Sequence, residues 1–217
     1  MDLEQVWAIR EDDVYPSLFG STRRGIFPLA LALFTGQFGQ TKVDPRWLHH
    51  GVIEFAPTAS RRSWLYVTSG HSNPWEQSPE NYDKAGDSGA GVEFALATTE
   101  QGDWAIQTVQ SMLAFDILLC AGRYPGKGPL AVHDRIPLQT PLNRDPNCLL
   151  RNLVVTDAEG IPAVFQLPSG SVRLMAFTGL TDAELSFAKA NGSLSIIERL
   201  REAGFHPINN PGRPSIL

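Results

Sequence analysis

The sequence predicts an α+β fold, a mixed and mainly antiparallel β-sheet packed with several α-helices in one compact domain over residues 1–217. Short apolar segments with two-residue alternation recur along the chain. Tight turns join neighbouring strand candidates, and three- and four-residue periodicity is confined to the beginning, the middle and the end. A length of 217 residues with 42% hydrophobic and 19% charged side chains suits one domain with a sizeable core.

Residues 3 to 15 read as a helix with Leu3, Val6, Trp7, Arg10 and Val14 on one face, ended by Tyr15-Pro16. Ile26 to Phe34 is an apolar segment that fits either a buried strand or a short helix. Residues 52 to 56 form a short strand closed by Pro57. Residues 63 to 69 alternate, with Trp64, Tyr66 and Thr68 on one side and Leu65 and Val67 on the other. From Ser69 to Gly91 the composition turns to Ser, Gly, Asn, Pro and Asp, with Trp75 and Tyr82 embedded. A loop of about twenty residues is long for a compact domain, and such loops are often functional. The next strand is expected at Val92.

Asp103 is placed as the N-cap of a helix starting near Trp104, whose inner face carries Ile106, Val109, Leu113 and Ile117. The glycines and prolines of residues 122 to 147 predict an extended connection. Strands follow at Leu149 to Thr156, Ala163 to Leu167 and Val172 to Phe177. Thr181-Asp-Ala-Glu184 is a capping box opening a helix to about Ala190; Gly192 breaks it, and a second helix stops at Gly204.

The formal charge of −5 argues against general affinity for nucleic acid or anionic membranes. Arg23–Arg24 and Arg61–Arg62 are the only basic doublets and read as solvated loops. The acidic amino terminus is unlike a secretory signal. The most apolar stretch, Gly25 to Phe34, contains Pro28 and falls short of the roughly 18 residues a membrane span needs. A cytoplasmic protein is therefore expected. Of the two cysteines, Cys120 closes an apolar run and reads as a buried thiol, while Cys148 lies in a turn; no disulfide framework is expected.

Gly86-Asp87-Ser88-Gly89-Ala90-Gly91 is similar to the nucleophile segment of trypsin-like proteases, with His71 upstream. Only 16 residues separate His71 from Ser88, too few for the two barrels that such a site spans. A hydrolase or metal-dependent enzyme using His71, Asp87 and Ser88 stays as the alternative reading. His49 and His50 are adjacent and point apart, and His71, His133 and His206 are isolated in sequence, so no metal site or cofactor is expected. Gly122 to Gly128 lacks the spacing and the helix start of a phosphate loop.

Four blocks, in order, resemble the Suppressor of fused (SUFU) domain family. They are Trp64-Leu-Tyr-Val-Thr-Ser-Gly-His-Ser-Asn, Ser88-Gly-Ala-Gly-Val-Glu93-Phe-Ala-Leu, Trp104-Ala-Ile, and the stretch from Gly170 to Leu200 with its Gly179-Leu-Thr-Asp-Ala-Glu184-Leu. The animal members carry a further carboxyl-terminal domain, so the chain resembles a bacterial single-domain member. The resemblance implies binding of a protein or peptide ligand rather than catalysis, through a short segment clamped as an added strand. The aromatic and the carboxylate that hold this segment in the animal proteins match Trp75 and, within a shift of one or two residues, Asp87. Bacterial relatives are suggested to be immunity proteins, which makes a cognate toxin one partner that the resemblance implies. An aromatic anchor beside an orienting charge suits such a role physically.

Overall fold

The central strands bury side chains on both faces, so the alternation seen in the sequence builds two cores rather than one. The computed structural model describes residues 2–217 and, of Arg23, the backbone alone. Helix α1 (Leu3–Ala8) runs through a π-helical stretch, Ile9–Val14, into α2 (Tyr15–Phe19). Strands β1 (Thr22–Pro28), β2 (Gly51–Phe55), β3 (Trp64–Ser69) and β4 (Asp87–Thr98) precede the long helix α3 (Asp103–Cys120). Then come β5 (Arg135–Pro137), β6 (Asn152–Asp157), β7 (Val164–Leu167) and β8 (Gly170–Leu180). Helices α4 (Asp182–Asn191) and α5 (Ser193–Glu202) and the short β9 (Ile208–Asn209) complete the chain.

Across the nine-stranded sheet the order is β1-β2-β3-β4-β8-β6-β5, with β7 on β8 and β9 on β4. Pairing is antiparallel except where β4 meets β8 and β9. This is the mixed, mainly antiparallel sheet the sequence predicts. Tyr66, Phe94 and Phe177 pack with Val109 and Leu113 of α3 on one face. Leu65, Val67 and Leu174 face the other way, against Tyr15 and Phe19. Val154 and Leu180 extend that second face beneath Ile196 and Leu200.

Several boundaries depart from expectation. The first helix continues through Pro16, which lies in the first turn of α2, where a backbone N–H is not needed; the π-helical turn before it makes room for the ring. The segment expected as a single strand or helix at 26–34 divides into the end of β1 and a second π-helical turn at Leu33–Gln37, and Ile26 is exposed. Helix α3 starts at Asp103 itself, with Gly102 as N-cap and the Asp103 carboxylate paired to Arg24 at 2.8 Å. Arg61 is no part of a basic patch: its guanidinium donates to the carbonyls of Phe19 and Ala56, both at 2.9 Å.

The capping box at Thr181 forms as predicted, with Thr181 N donating to Glu184 Oε2 at 2.9 Å and Glu184 N donating to Thr181 Oγ1 at 3.3 Å. Glu184 also receives Arg213 in a two-pronged pair of 2.7 and 2.6 Å, fully buried, which ties the carboxyl-terminal segment to α4. Burial works to raise the Glu184 carboxyl, but Arg213 and the backbone N–H groups of Thr181 and Ile216 hold it below its ordinary 4.5. Its stabilising contribution is therefore complete above pH 4.5 and is lost as pH falls through the folded value. Arg213→Ala strands the carboxylate and is expected to cost about 3 kcal/mol at neutral pH. Denaturant midpoints measured at pH 7 and below pH 4 check this, with the gap from wild type narrowing in acid.

Candidate functional site

Strand β3 pairs with β4 only through Trp64–Val67, opposite Ala95–Thr98. Beyond that point the chain turns away, and a buried carboxylate takes over the role of the ladder. Glu93 Oε1 accepts from Gly70 N at 3.1 Å, Ser72 N at 2.9 Å and Ser72 Oγ at 2.6 Å, while Oε2 accepts from Thr68 Oγ1. Arg10, 1% exposed, clamps the same turn from the π-helical stretch. It donates to Ser69 Oγ at 3.0 Å, Ser72 Oγ at 3.3 Å, Asn73 Oδ1 at 2.6 Å and Glu11 at 3.1 Å. Tyr15 donates to Thr68 O at 2.7 Å, and burial, with Glu93 nearby, pushes its phenol well above 10. Hydrogen bonds to charged groups are each worth about 1.5–3 kcal/mol, so this turn is held firmly.

The strand expected at Val92 begins five residues earlier. Asp87 already pairs with Ser171 of β8, and the register shifts before Val92 meets Arg173. Gly89 and Gly91 carry φ of 58° and 70°, which makes this a glycine-built irregular strand rather than the turn its composition suggests. A Cβ at Gly89 would lie 2.4 Å from Asn73 O, so the 70s turn and the strand touch backbone to backbone. The edge of β4 facing away from β8 meets no strand here. Ala90 N donates to His71 O at 3.0 Å; the Gln77 side chain accepts from Gly89 N at 3.1 Å and donates to Asp87 O at 3.0 Å.

Trp75 is half-buried, edge-on to Trp7 at 5.7 Å and tilted against His49 at 5.9 Å between ring centroids. Its indole Nε1 is buried without a partner. Trp75 lines a cavity of about 360 Å³ shared with His50, His71, Asn73, Gln77 and Cys120. Asp87 is exposed at the start of β4, its side chain lying over Gly91, and is not part of that cavity wall.

The His71, Asp87 and Ser88 of the enzymatic reading do not assemble. Ser88 is buried and donates to Ser72 O at 2.7 Å, with Ser169 Oγ 2.6 Å away. His71 Nε2 instead meets Asp116 Oδ2 at 2.7 Å. Burial of the ring opposes its charge, but Asp116 carries the imidazole up to about 10. A cationic histidine at neutral pH is no general base. His50 is the opposite case, pushed down to about 4 by burial and by its cationic neighbour.

Folding also gathers groups that the sequence keeps apart. His71, Asp116 and Cys120 bring three donor atoms within 4.8 Å of one another, the one such grouping of three or more metal-ligating side chains among the described residues. Cys120, expected to be buried, is exposed at the end of α3, whereas Cys148 is buried; both are free thiols. Arg10 was readable only as a charge on the apolar face of the first helix, and Asp116 as a charge within an apolar run, each of which had to find a partner.

No helix among the described residues is long and apolar enough to cross a membrane. No protein of curated function matches the chain in sequence. Among solved structures, the Sufu–Fu complex is similar with a TM-score of 0.64 at 19% identity, over 98% of this chain and 91% of that one. A SUFU homologue from Neisseria gonorrhoeae gives 0.63 at 14% identity, with 98% of each chain covered. Drosophila Suppressor of fused gives 0.58 at 17% identity over 76% of this chain, which spans 42% of that protein's length. These likenesses show the fold, and the Suppressor of fused protein (SUFU) family matches residues 46–214. The chain belongs to the Suppressor of fused family.

Proposed function

We propose that this protein is a non-enzymatic binding module that takes up an extended segment of another protein along the edge of β4 that faces away from β8, at the stretch where the Gln77 side chain lies. The observation that carries the reading is the first half of β4, which has a strand neighbour on one side only. Its other side offers Asp87 O and Gly89 N to the Gln77 side-chain amide, a donor and acceptor pair in the arrangement a neighbouring strand presents. Gln77 is a placeholder that an incoming strand displaces, gaining main-chain bonds while its side chains reach Trp75 and the cavity. Trp75 supplies the aromatic anchor and Asp87 the orienting charge. Glu76 is paired with Arg46, and the exposed carboxylates of Glu80, Asp83 and Asp87 outnumber Lys84 along this loop, so a basic segment fits best. That one structural relative is a Sufu–Fu complex supports a binding role.

We further propose that the partner is a cognate toxin, in keeping with the role suggested for bacterial members of the family. The test is capture of the partner from the native cell by wild type and by Asp87→Lys, followed by expression of the captured protein alone. A partner held by wild type, lost by the variant and inhibitory to growth unless co-expressed with this chain is the expected result. A harmless partner would remove the toxin reading and leave the binding reading intact.

Trp75→Ala is expected to weaken partner affinity by about 2 kcal/mol, roughly thirty-fold, in a calorimetric titration. Gln77→Ala should act in the opposite direction, tightening binding by about 1 kcal/mol because one competitor for the β4 edge is gone. If both substitutions weaken binding alike, Gln77 is a contact rather than a placeholder.

A further inference from the structure

We propose that His71, Asp116 and Cys120 form a binding site for a thiophilic divalent cation of the zinc class, open to the cavity that Trp75 lines. The three donors come from two elements. His71 belongs to the turn fixed by Glu93, while Asp116 and Cys120 stand one turn apart on α3, on the same face. The arrangement converges instead of running in series. Asp116 Oδ2 meets His71 Nε2 at 2.7 Å and Cys120 Sγ at 3.8 Å. A nucleophilic relay would place the carboxylate on one imidazole nitrogen and the thiol on the other. Donors gathered about one point suit coordination.

Ligand chemistry selects the ion. A thiolate and an imidazole favour zinc over magnesium or calcium, which take oxygen ligands. With the thiol ionised, the histidine neutral and the aspartate charged, the set carries two negative charges and cancels a divalent cation. Three protein ligands with a fourth position open to a water-accessible cavity is a recurrent zinc arrangement. The surroundings are already organised for it. Asp116 Oδ1 accepts from Leu130 N at 2.6 Å, which fixes the carboxylate plane as outer partners of metal ligands do. His50, whose ring lies 6.0 Å from that of His71, touches the Arg46 carbonyl through Nδ1 at 3.1 Å. A carbonyl only accepts, so Nδ1 holds a proton there. Asn73, 2% exposed, lines the same cavity with its Nδ2 unpartnered, and can donate to a water or hydroxide on the ion.

Binding replaces two hydrogen bonds, His71 to Asp116 and Cys120 to Asp116, with metal bonds. Tetrahedral zinc holds nitrogen and oxygen ligands about 3.5 Å apart, so His71 and Asp116 open by roughly 1 Å. Two protons leave, one from the Cys120 thiol and one from the bond shared by His71 and Asp116, so affinity rises with pH. The three donors are in place without a docked segment, and a side chain of such a segment entering the shared cavity would meet the fourth position of the ion.

Cobalt titration of the intact protein under reducing conditions tests this, since a cobalt–thiolate bond adds a near-ultraviolet charge-transfer band. One equivalent of cobalt should give the band in wild type, and zinc should abolish it. Cys120→Ser, at an exposed helix end and expected to fold normally, should lose the band and bind zinc at least thirty-fold more weakly in competition with a chromophoric chelator. His71→Gln should weaken zinc binding as well. Absence of stoichiometric binding at micromolar zinc, or a band that survives Cys120→Ser, would overturn the assignment.

Discussion

A single buried carboxylate holds together the part of the molecule to which we assign the binding role. Where β3 leaves β4, Glu93 gathers Thr68, Gly70 and Ser72 onto its two oxygens. A charge at 0% exposure is tolerated only when hydrogen-bonded throughout, and here donors from a strand end and the turn after it supply those bonds. Arg10 lies on the far side of the same turn, bonded to Ser69, Ser72 and Asn73, so that turn is gripped between an anion and a cation. The two charges share Ser72, whose hydroxyl donates to Glu93 and accepts from Arg10, so loss of either loosens the turn that presents the other's partners.

Everything that characterises the site follows from that grip. With the 70s turn fixed, Gly89 can approach Asn73 backbone to backbone, Ser88 can bond Ser72 O, and Gln77 can reach the edge of β4. The same turn delivers His71 to Asp116 and Trp75 to Trp7 and His49. The proposed binding edge, Trp75 and the three-donor cluster are therefore positioned by one local structure. The SUFU fold supplies the frame; the polar chemistry of residues 68–77 shapes what it can hold.

Much of the frame was legible in the sequence because local signals and tertiary structure agree. The two-residue alternation of Trp64–Ser69 correctly divides the two cores, and Thr181 with Glu184 forms the box its spacing announces. The start of β4 was hidden because a bulged strand needs the same left-handed glycines as a turn, and composition alone does not separate them. Pro16 misled because a π-helical turn, invisible to periodicity, lets the helix continue. Trp75 and Asp87 were singled out through family resemblance; the structure puts the first in a cavity wall and the second on the open strand beside it. The His71–Asp116–Cys120 cluster could not be read from spacing, since its first two members are 45 positions apart. Its one trace was Asp116 alone among Phe115, Ile117 and Leu118, a charge on the buried side of a helix.

The central claim is that Glu93 organises the 70s turn and the β4 edge as one unit, distinct from the rest of the sheet. Amide hydrogen exchange of Glu93→Gln against wild type measures this directly. The account predicts that protection falls across residues 70–77 and 88–92 while β6 and the second half of β8 keep theirs. Unchanged protection in the turn, or loss spread evenly over the whole sheet, would contradict it.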